Sequence, residues 1–325
     1  MAHGHLVDGV WQTGRRNDPA NAGRFKRPET KFRNWITPDG SAGPSGTGGF
    51  KAERGRYHLY VSLACPWAHR TIIFRKLKGL EDIISMDAVE PVMGDGWEFG
   101  PDGDPDRVNG KKRLYEIYLL AEPHYTGRVS VPVLWDKATR TIVNNESPEI
   151  IRMLNSAFDA FTNVRTDYYP QALRGEIEQV NAIVYPNVNN GVYRTGFASS
   201  QDAYEEAFGD LFGALDQLEA RLSRQRYLAG SEITEADWRL FTTLVRFDAV
   251  YVGHFKCNLR RIADYPNLSN YLRDLYQVPG VAETVNMDHI KRHYYISMEN
   301  INPNRIVAKG PELDFDAQHD RGRFG

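Results

Sequence analysis

The sequence predicts a mixed α/β domain followed by an all-α domain, with a reactive cysteine built into the first. Three observations carry this. Strand and helix patterns alternate between residues 57 and 158, strand signals then stop, and apolar-striped helices continue to about residue 285. With 325 residues, 41% hydrophobic and 25% charged, the chain has material for two globular cores. Lys and Arg number 40 against 42 Asp and Glu, and the net charge of −2 excludes a general attraction to nucleic acid or an anionic membrane.

Residues 1–55 are rich in Gly, Pro, Asn and charge, with Trp11, Phe25, Phe32 and Trp35 scattered among them, and they read as an arm lying on the body. The glycine run 43–50 has neither a preceding strand nor a following Lys-Ser/Thr pair, so it is a connector rather than a phosphate loop. Residues 56–160 form the first domain. A strand at 57–63, a helix at 66–77 and a strand at 83–89 make a βαβ unit with parallel strands. After a Gly/Asp/Pro-rich insertion, residues 111–121 form a second helix that stops before Pro123. Residues 128–135 and 141–143 are two strands of a hairpin. Pro132 fits the first only if its peptide bond is cis or the strand lies at an edge. A helix over 150–158 follows, with Ser147 as its cap and Pro148 in its first turn. The order βαβ, α, ββ, α is thioredoxin-like.

Residues 168–300 form the helical domain. Its clearest helix spans 203–222, where Phe208, Leu211, Phe212, Leu215, Leu218 and Leu222 make one stripe. Thr234 and Asp237 have capping-box spacing and open an apolar helix over 238–247. Residues 301–325 read as a polar tail.

Cys65 stands where the first strand runs into the first helix. A helix start has backbone N–H groups without intrahelical partners and partial positive charge, which favour a thiolate. Pro66 suits the first helical position, having no N–H to leave unpaired. The other cysteine, Cys257, reads as structural. Two cysteines are too few for a disulfide framework, and with no basic-then-apolar leader in view a cytoplasmic protein with free thiols is expected. His254 and Cys257 have H-x-x-C spacing, but no second ligand pair accompanies them and no metal is expected.

Cys65-Pro66-Trp67-Ala68, Asn144-Asn145-Glu146-Ser147, Asn189-Asn190-Gly191-Val192-Tyr193, the run 251–257 and the run 288–295, taken in order, resemble the glutathionyl-hydroquinone reductases, the Xi class of the glutathione transferases. The resemblance covers nearly the whole chain. It implies a thioredoxin-like domain joined to a helical glutathione-transferase domain, a homodimer, and glutathione as co-substrate. It assigns glutathione binding to Trp97, Arg128, Val131, Glu146 and Ser147, with the peptide backbone pairing to Val131 before the cis-proline and the γ-glutamyl carboxylate at a helix start. It assigns catalysis to Cys65, with Tyr193 as proton donor and Tyr251 and Tyr294 near the sulfur or the hydroquinone hydroxyls. The expected reaction is reductive deglutathionylation of glutathionyl-hydroquinones through a Cys65–glutathione mixed disulfide. Ala68 stands where a dithiol enzyme has its second cysteine, so a second glutathione must resolve that intermediate. The rivals are an omega-type thioltransferase or dehydroascorbate reductase, and a non-catalytic scaffold module.

Overall fold

The computed structural model of the chain describes residues 4–14 and 22–325. Among the described residues the expected α/β and all-α parts are both present. The chain makes two compact units, one from Met1–Arg16, Pro28–Thr166 and Thr284–Arg305, the other from Asn17–Arg27, Asp167–Glu283 and Ile306–Gly325.

The first unit is built on a four-stranded sheet of order β4-β3-β6-β7, with β3 (Tyr57–Val61) and β4 (Ser85–Ala88) parallel and β6 (Val133–Asp136) and β7 (Thr141–Asn144) antiparallel to their neighbours. All five residues of β3 are buried, as a central strand covered on both faces requires. Helices α1 (Pro66–Leu77) and α3 (Ser147–Ser156) pack together, burying Ile72 and Ile73 of α1 and Ile150, Ile151 and Leu154 of α3. Each such side chain contributes roughly 1.5–3 kcal/mol when removed from water. Helix α2 (Leu114–Ala121) stops two residues before Pro123.

The expected strand 128–135 is instead two pieces. Its first part, β5 (Gly127–Arg128), pairs with β1 (Gly4–Val7), which forms a hairpin with β2 (Val10–Thr13). Pro132 has no N–H to give a ladder, and β6 starts only after it. The Val131–Pro132 bond is cis.

The last helix of this unit, α10 (Met287–Ser297), comes from far along the chain. It holds the 91–102 loop at three points. The Met93 N–H donates to Ser297 Oγ at 3.0 Å, His293 Nδ1 meets the Pro91 carbonyl at 3.0 Å, and Arg292 donates to Asp102 at 2.6 Å.

The second unit consists of α4 (Arg174–Val184), α5 (Gly191–Gly196), α6 (Gln201–Leu222), α7 (Glu235–Arg246), the short α8 (Val252–His254) and α9 (Pro266–Tyr276). Every residue of α7 is buried, so this helix is the unit's centre. Its start carries the expected capping box: Asp237 accepts from the Thr234 N–H at 2.8 Å and the Thr234 hydroxyl at 3.0 Å. The same carboxyl accepts from Leu228 N at 2.8 Å and the Tyr271 hydroxyl at 2.8 Å. Burial raises the Asp237 pKa, and these four donors offset part of that rise.

The start of α9 is capped from α6, where Glu219 accepts from the N–H groups of Asn267 (2.9 Å) and Leu268 (2.8 Å). Arg321, fully buried in the polar terminal stretch, donates to the carbonyls of Leu222, Gln225 and Arg226 at 2.6–2.8 Å, just past the end of α6. No helix among the described residues is long and apolar enough to cross a membrane.

Candidate functional site

The chain turns from β3 into α1 at Cys65, which occupies the N-cap position with extended backbone while Pro66 takes the first helical place. The Cys65 carbonyl accepts the first helical bond from His69 N at 2.9 Å, and the Cys65 side chain does not cap the helix. Its sulfur instead lies 3.8 Å from the Val131 carbonyl, and the residue keeps 9% of its surface. A thiol at a positive helix end, with its sulfur beside the Val131 carbonyl, can act as a nucleophile.

The start of α3 is fixed by its neighbours. Asn144 Oδ1 accepts from the Glu146 N–H at 2.7 Å and holds Glu146 extended. The helix therefore begins at Ser147, with Glu146 rather than Ser147 as its N-cap and Pro148 in second place. Glu146 accepts from the Thr30 hydroxyl at 3.0 Å. Buried Arg70 reaches over from α1 and donates to Ser147 Oγ at 3.3 Å, with its guanidinium 4.6 Å from the centre of the Trp67 ring. Arg70 thus joins the two helix starts.

Tyr118 was not anticipated. Its hydroxyl donates to the Ser130 carbonyl at 2.8 Å and accepts from Asn145 Nδ2 at 3.1 Å, tying the segment between β5 and β6 that carries Val131 to the loop that carries Glu146. Arg128 is exposed on β5, and its carbonyl accepts from the Tyr125 hydroxyl. Trp97 is buried to 8% exposure and stacks on His293 with ring centres 5.0 Å apart and 16° between planes. His293 in turn meets Tyr294 edge-on at 5.2 Å. The first unit thus contains Cys65, Trp97, Arg128, Val131, Glu146, Ser147 and Tyr294.

Tyr193 and Tyr251 belong to the second unit, where their ring centres lie 6.2 Å apart and Phe255 packs against both. A π-helical turn precedes α5 (Tyr185–Asn189) and another ends on Tyr251 (Phe247–Tyr251), an irregularity that re-aims side chains from one helix face. Asn189 pins the first of these turns to α7, donating to the Arg239 carbonyl and Thr243 Oγ1 at 2.9 and 2.8 Å. The Arg27 guanidinium stands 5.1 Å from the centre of the Tyr193 ring and donates to Asn190 Oδ1 at 3.2 Å.

Cys257 contrasts with Cys65: it is fully buried, and burial pushes its thiol pKa far up. Burial also lowers the neighbouring His254 to about 4, so that ring is neutral at physiological pH. Among the described residues no three His, Cys, Asp or Glu side chains converge as metal ligands.

Two family models match the chain: the N-terminal domain of glutathione S-transferase over residues 64–157 and the C-terminal domain over residues 201–274. Glutathionyl-hydroquinone reductase YqjG of Escherichia coli K12 is 56% identical, covering 99% of this chain and 100% of that protein. Its glutathione-bound structure superposes with a TM-score of 0.91 over 98% of this chain and 99% of that one. Glutathionyl-hydroquinone reductase PcpF of Sphingobium chlorophenolicum is 53% identical over 95% of this chain and 96% of its own length. A Xi-class glutathione transferase from Natrialba magadii is 49% identical, with a TM-score of 0.91 over 99% of this chain and 98% of that one.

Proposed function

Because the chain belongs to the glutathione S-transferase family, in the branch of the glutathionyl-hydroquinone reductases, we propose that it removes glutathione from glutathionyl-hydroquinones, using a second glutathione as reductant. The near-full-length identity to two such reductases carries this reading.

In the proposed mechanism the Cys65 thiolate attacks the sulfur of the conjugate. A sulfur–sulfur bond forms and the carbon–sulfur bond breaks. The ring carbon keeps the electron pair and takes a proton from the Tyr193 hydroxyl, and the hydroquinone leaves. The thiolate of a second glutathione then attacks the glutathione sulfur of the mixed disulfide, giving oxidised glutathione and restoring Cys65. Val131 offers its backbone N–H and carbonyl to the peptide, while Glu146 and Ser147 take the γ-glutamyl ammonium and carboxylate at the start of α3. Trp97 and Arg128 complete the glutathione contacts, and Tyr251 and Tyr294 hydrogen-bond near the sulfur or the hydroquinone hydroxyls. The position of Cys65 at a helix start and of its sulfur beside the Val131 carbonyl supports these roles. The working form is a homodimer in the cytoplasm, and light scattering tests the first of these.

The deciding experiment treats Cys65→Ser and Cys65→Ala with a glutathionyl-hydroquinone and follows products and protein mass. Loss of turnover, together with a glutathione adduct on the parent that maps to Cys65, is expected. Continued turnover in either variant overturns the mechanism. A rate on a simple mixed disulfide exceeding that on the conjugate would favour an omega-type thioltransferase, since that reaction needs no carbon protonation.

A further inference from the structure

We propose that Ser85, His58 and Asp87 form a second reactive site, in which Ser85 takes an acyl group from small anionic esters and passes it to water. The strand register assembles this site. His58 on β3 pairs with Ser85 on β4 and Tyr60 with Asp87, so Ser85 and Asp87, two residues apart, share the sheet face that bears His58. His58 sits near the beginning of β3, whereas Cys65 follows the end of that strand. All three residues line a cavity of about 560 Å³ whose walls include Arg107, Lys137 and Arg140.

Ser85 is exposed, and three groups act on its hydroxyl or on the base beside it. His58 Nδ1 lies 2.8 Å from Ser85 Oγ, and Lys137 Nζ donates to the same oxygen at 3.4 Å. On the other side of the ring, His58 Nε2 is 3.3 Å from Asp87 Oδ2, within ion-pair range but off the line of a good hydrogen bond. Asp87 is itself fixed, accepting from Arg107 N at 2.9 Å and Arg107 Nε at 2.6 Å. Burial raises the Asp87 pKa, but the neighbouring His58 ring and the donors from Arg107 outweigh it and hold the carboxyl below its ordinary range.

A carboxylate beside Nε2 favours the tautomer with its proton there, and Nδ1 then accepts the Ser85 hydroxyl proton. The roles are those of a Ser-His-Asp hydrolase with the two ring nitrogens exchanged. Ser85 Oγ attacks the ester carbonyl carbon as its proton passes to His58 Nδ1, and the carbonyl electron pair moves onto oxygen beside the Lys137 ammonium. Collapse breaks the carbon–oxygen bond to the leaving group, which departs with the proton held by His58. Water repeats the sequence, releasing the acid and regenerating Ser85. Arg140 supplies positive charge for an anionic group on the ester.

The test exposes the full-length protein to a fluorophosphonate, which forms an Oγ–P bond as P–F breaks, and maps the adduct by mass spectrometry. A single adduct at Ser85 is expected. It should be absent from Ser85→Ala, form on the order of 100-fold more slowly in His58→Gln, form more slowly in Lys137→Met, and be indifferent to alkylation of Cys65. No adduct at Ser85, or labelling of Lys137→Met as fast as the parent, overturns the proposal. Lys137 is only half-buried, so that variant decides even if His58→Gln does not fold. A carboxylated aryl ester should be hydrolysed faster than its neutral counterpart, with the preference lost in Arg140→Ala; equal rates in the parent overturn the anionic substrate class.

Discussion

The starts of α7 and α9 in the second unit are finished differently from those of α1 and α3 in the first. In the second unit α7 is closed by its own Thr234 and Asp237, and α9 by the Glu219 carboxylate of α6. In the first unit α1 and α3 begin at Cys65 and Glu146 with no side-chain cap, and each has a proline in its first turn. A capped start stabilises the fold; an uncapped one keeps a positive end that an anion or thiolate can use. The starts of α1 and α3 thus forgo local stability where Cys65, Glu146 and Ser147 lie, and those of α7 and α9, which carry no proposed site residue, keep it.

This contrast can be broken at either kind of start. The largest expected effect is that of Cys65→Ala, which should lower turnover of a glutathionyl-hydroquinone by at least about 10⁴-fold while its melting temperature stays near the parent's. A large loss of melting temperature would show that Cys65 serves the fold. Asp237→Ala should show the reverse, costing about 3 kcal/mol or more in urea unfolding because four buried donors lose their acceptor, with full specific activity in the folded fraction. Glu219→Ala should cost about 1–2 kcal/mol and leave the Michaelis constant for glutathione unchanged. The smallest effect is expected of Ser147→Ala at the start of α3: the Michaelis constant should rise about tenfold, equivalent to about 1.4 kcal/mol, with kcat nearly constant. A fall in kcat alone would place Ser147 in the chemical step instead.

Features set by neighbours in sequence were legible before the structure. The Cys65-Pro66 junction, the Thr234–Asp237 box and the parallel β3–β4 pair each depend on a short spacing, and each is present. Features that depend on distant partners were not. Nothing near residue 128 announces that β5 pairs with β1 rather than continuing into β6. Likewise, the stacking of Trp97 on His293 and the His69–Thr284 bond at 2.8 Å join residues about two hundred positions apart. The tyrosines are the hardest case. Tyr193, Tyr251 and Tyr294 have no spacing that separates them from the chain's other tyrosines, and a resemblance alone singled them out, whereas Tyr118, which ties two loops together, carried no signal.

The bonds from Arg321 affect the timing of folding. The Leu222 carbonyl it receives lies 99 residues earlier in the chain, so during translation the end of α6 is made long before its partner. Until residue 321 is added, the nascent second unit keeps an open seam at Leu222, Gln225 and Arg226, where water or a chaperone must stand in for the guanidinium. A ribosome stalled before that residue should therefore hold a helical unit that is more sensitive to protease at this seam than the released chain.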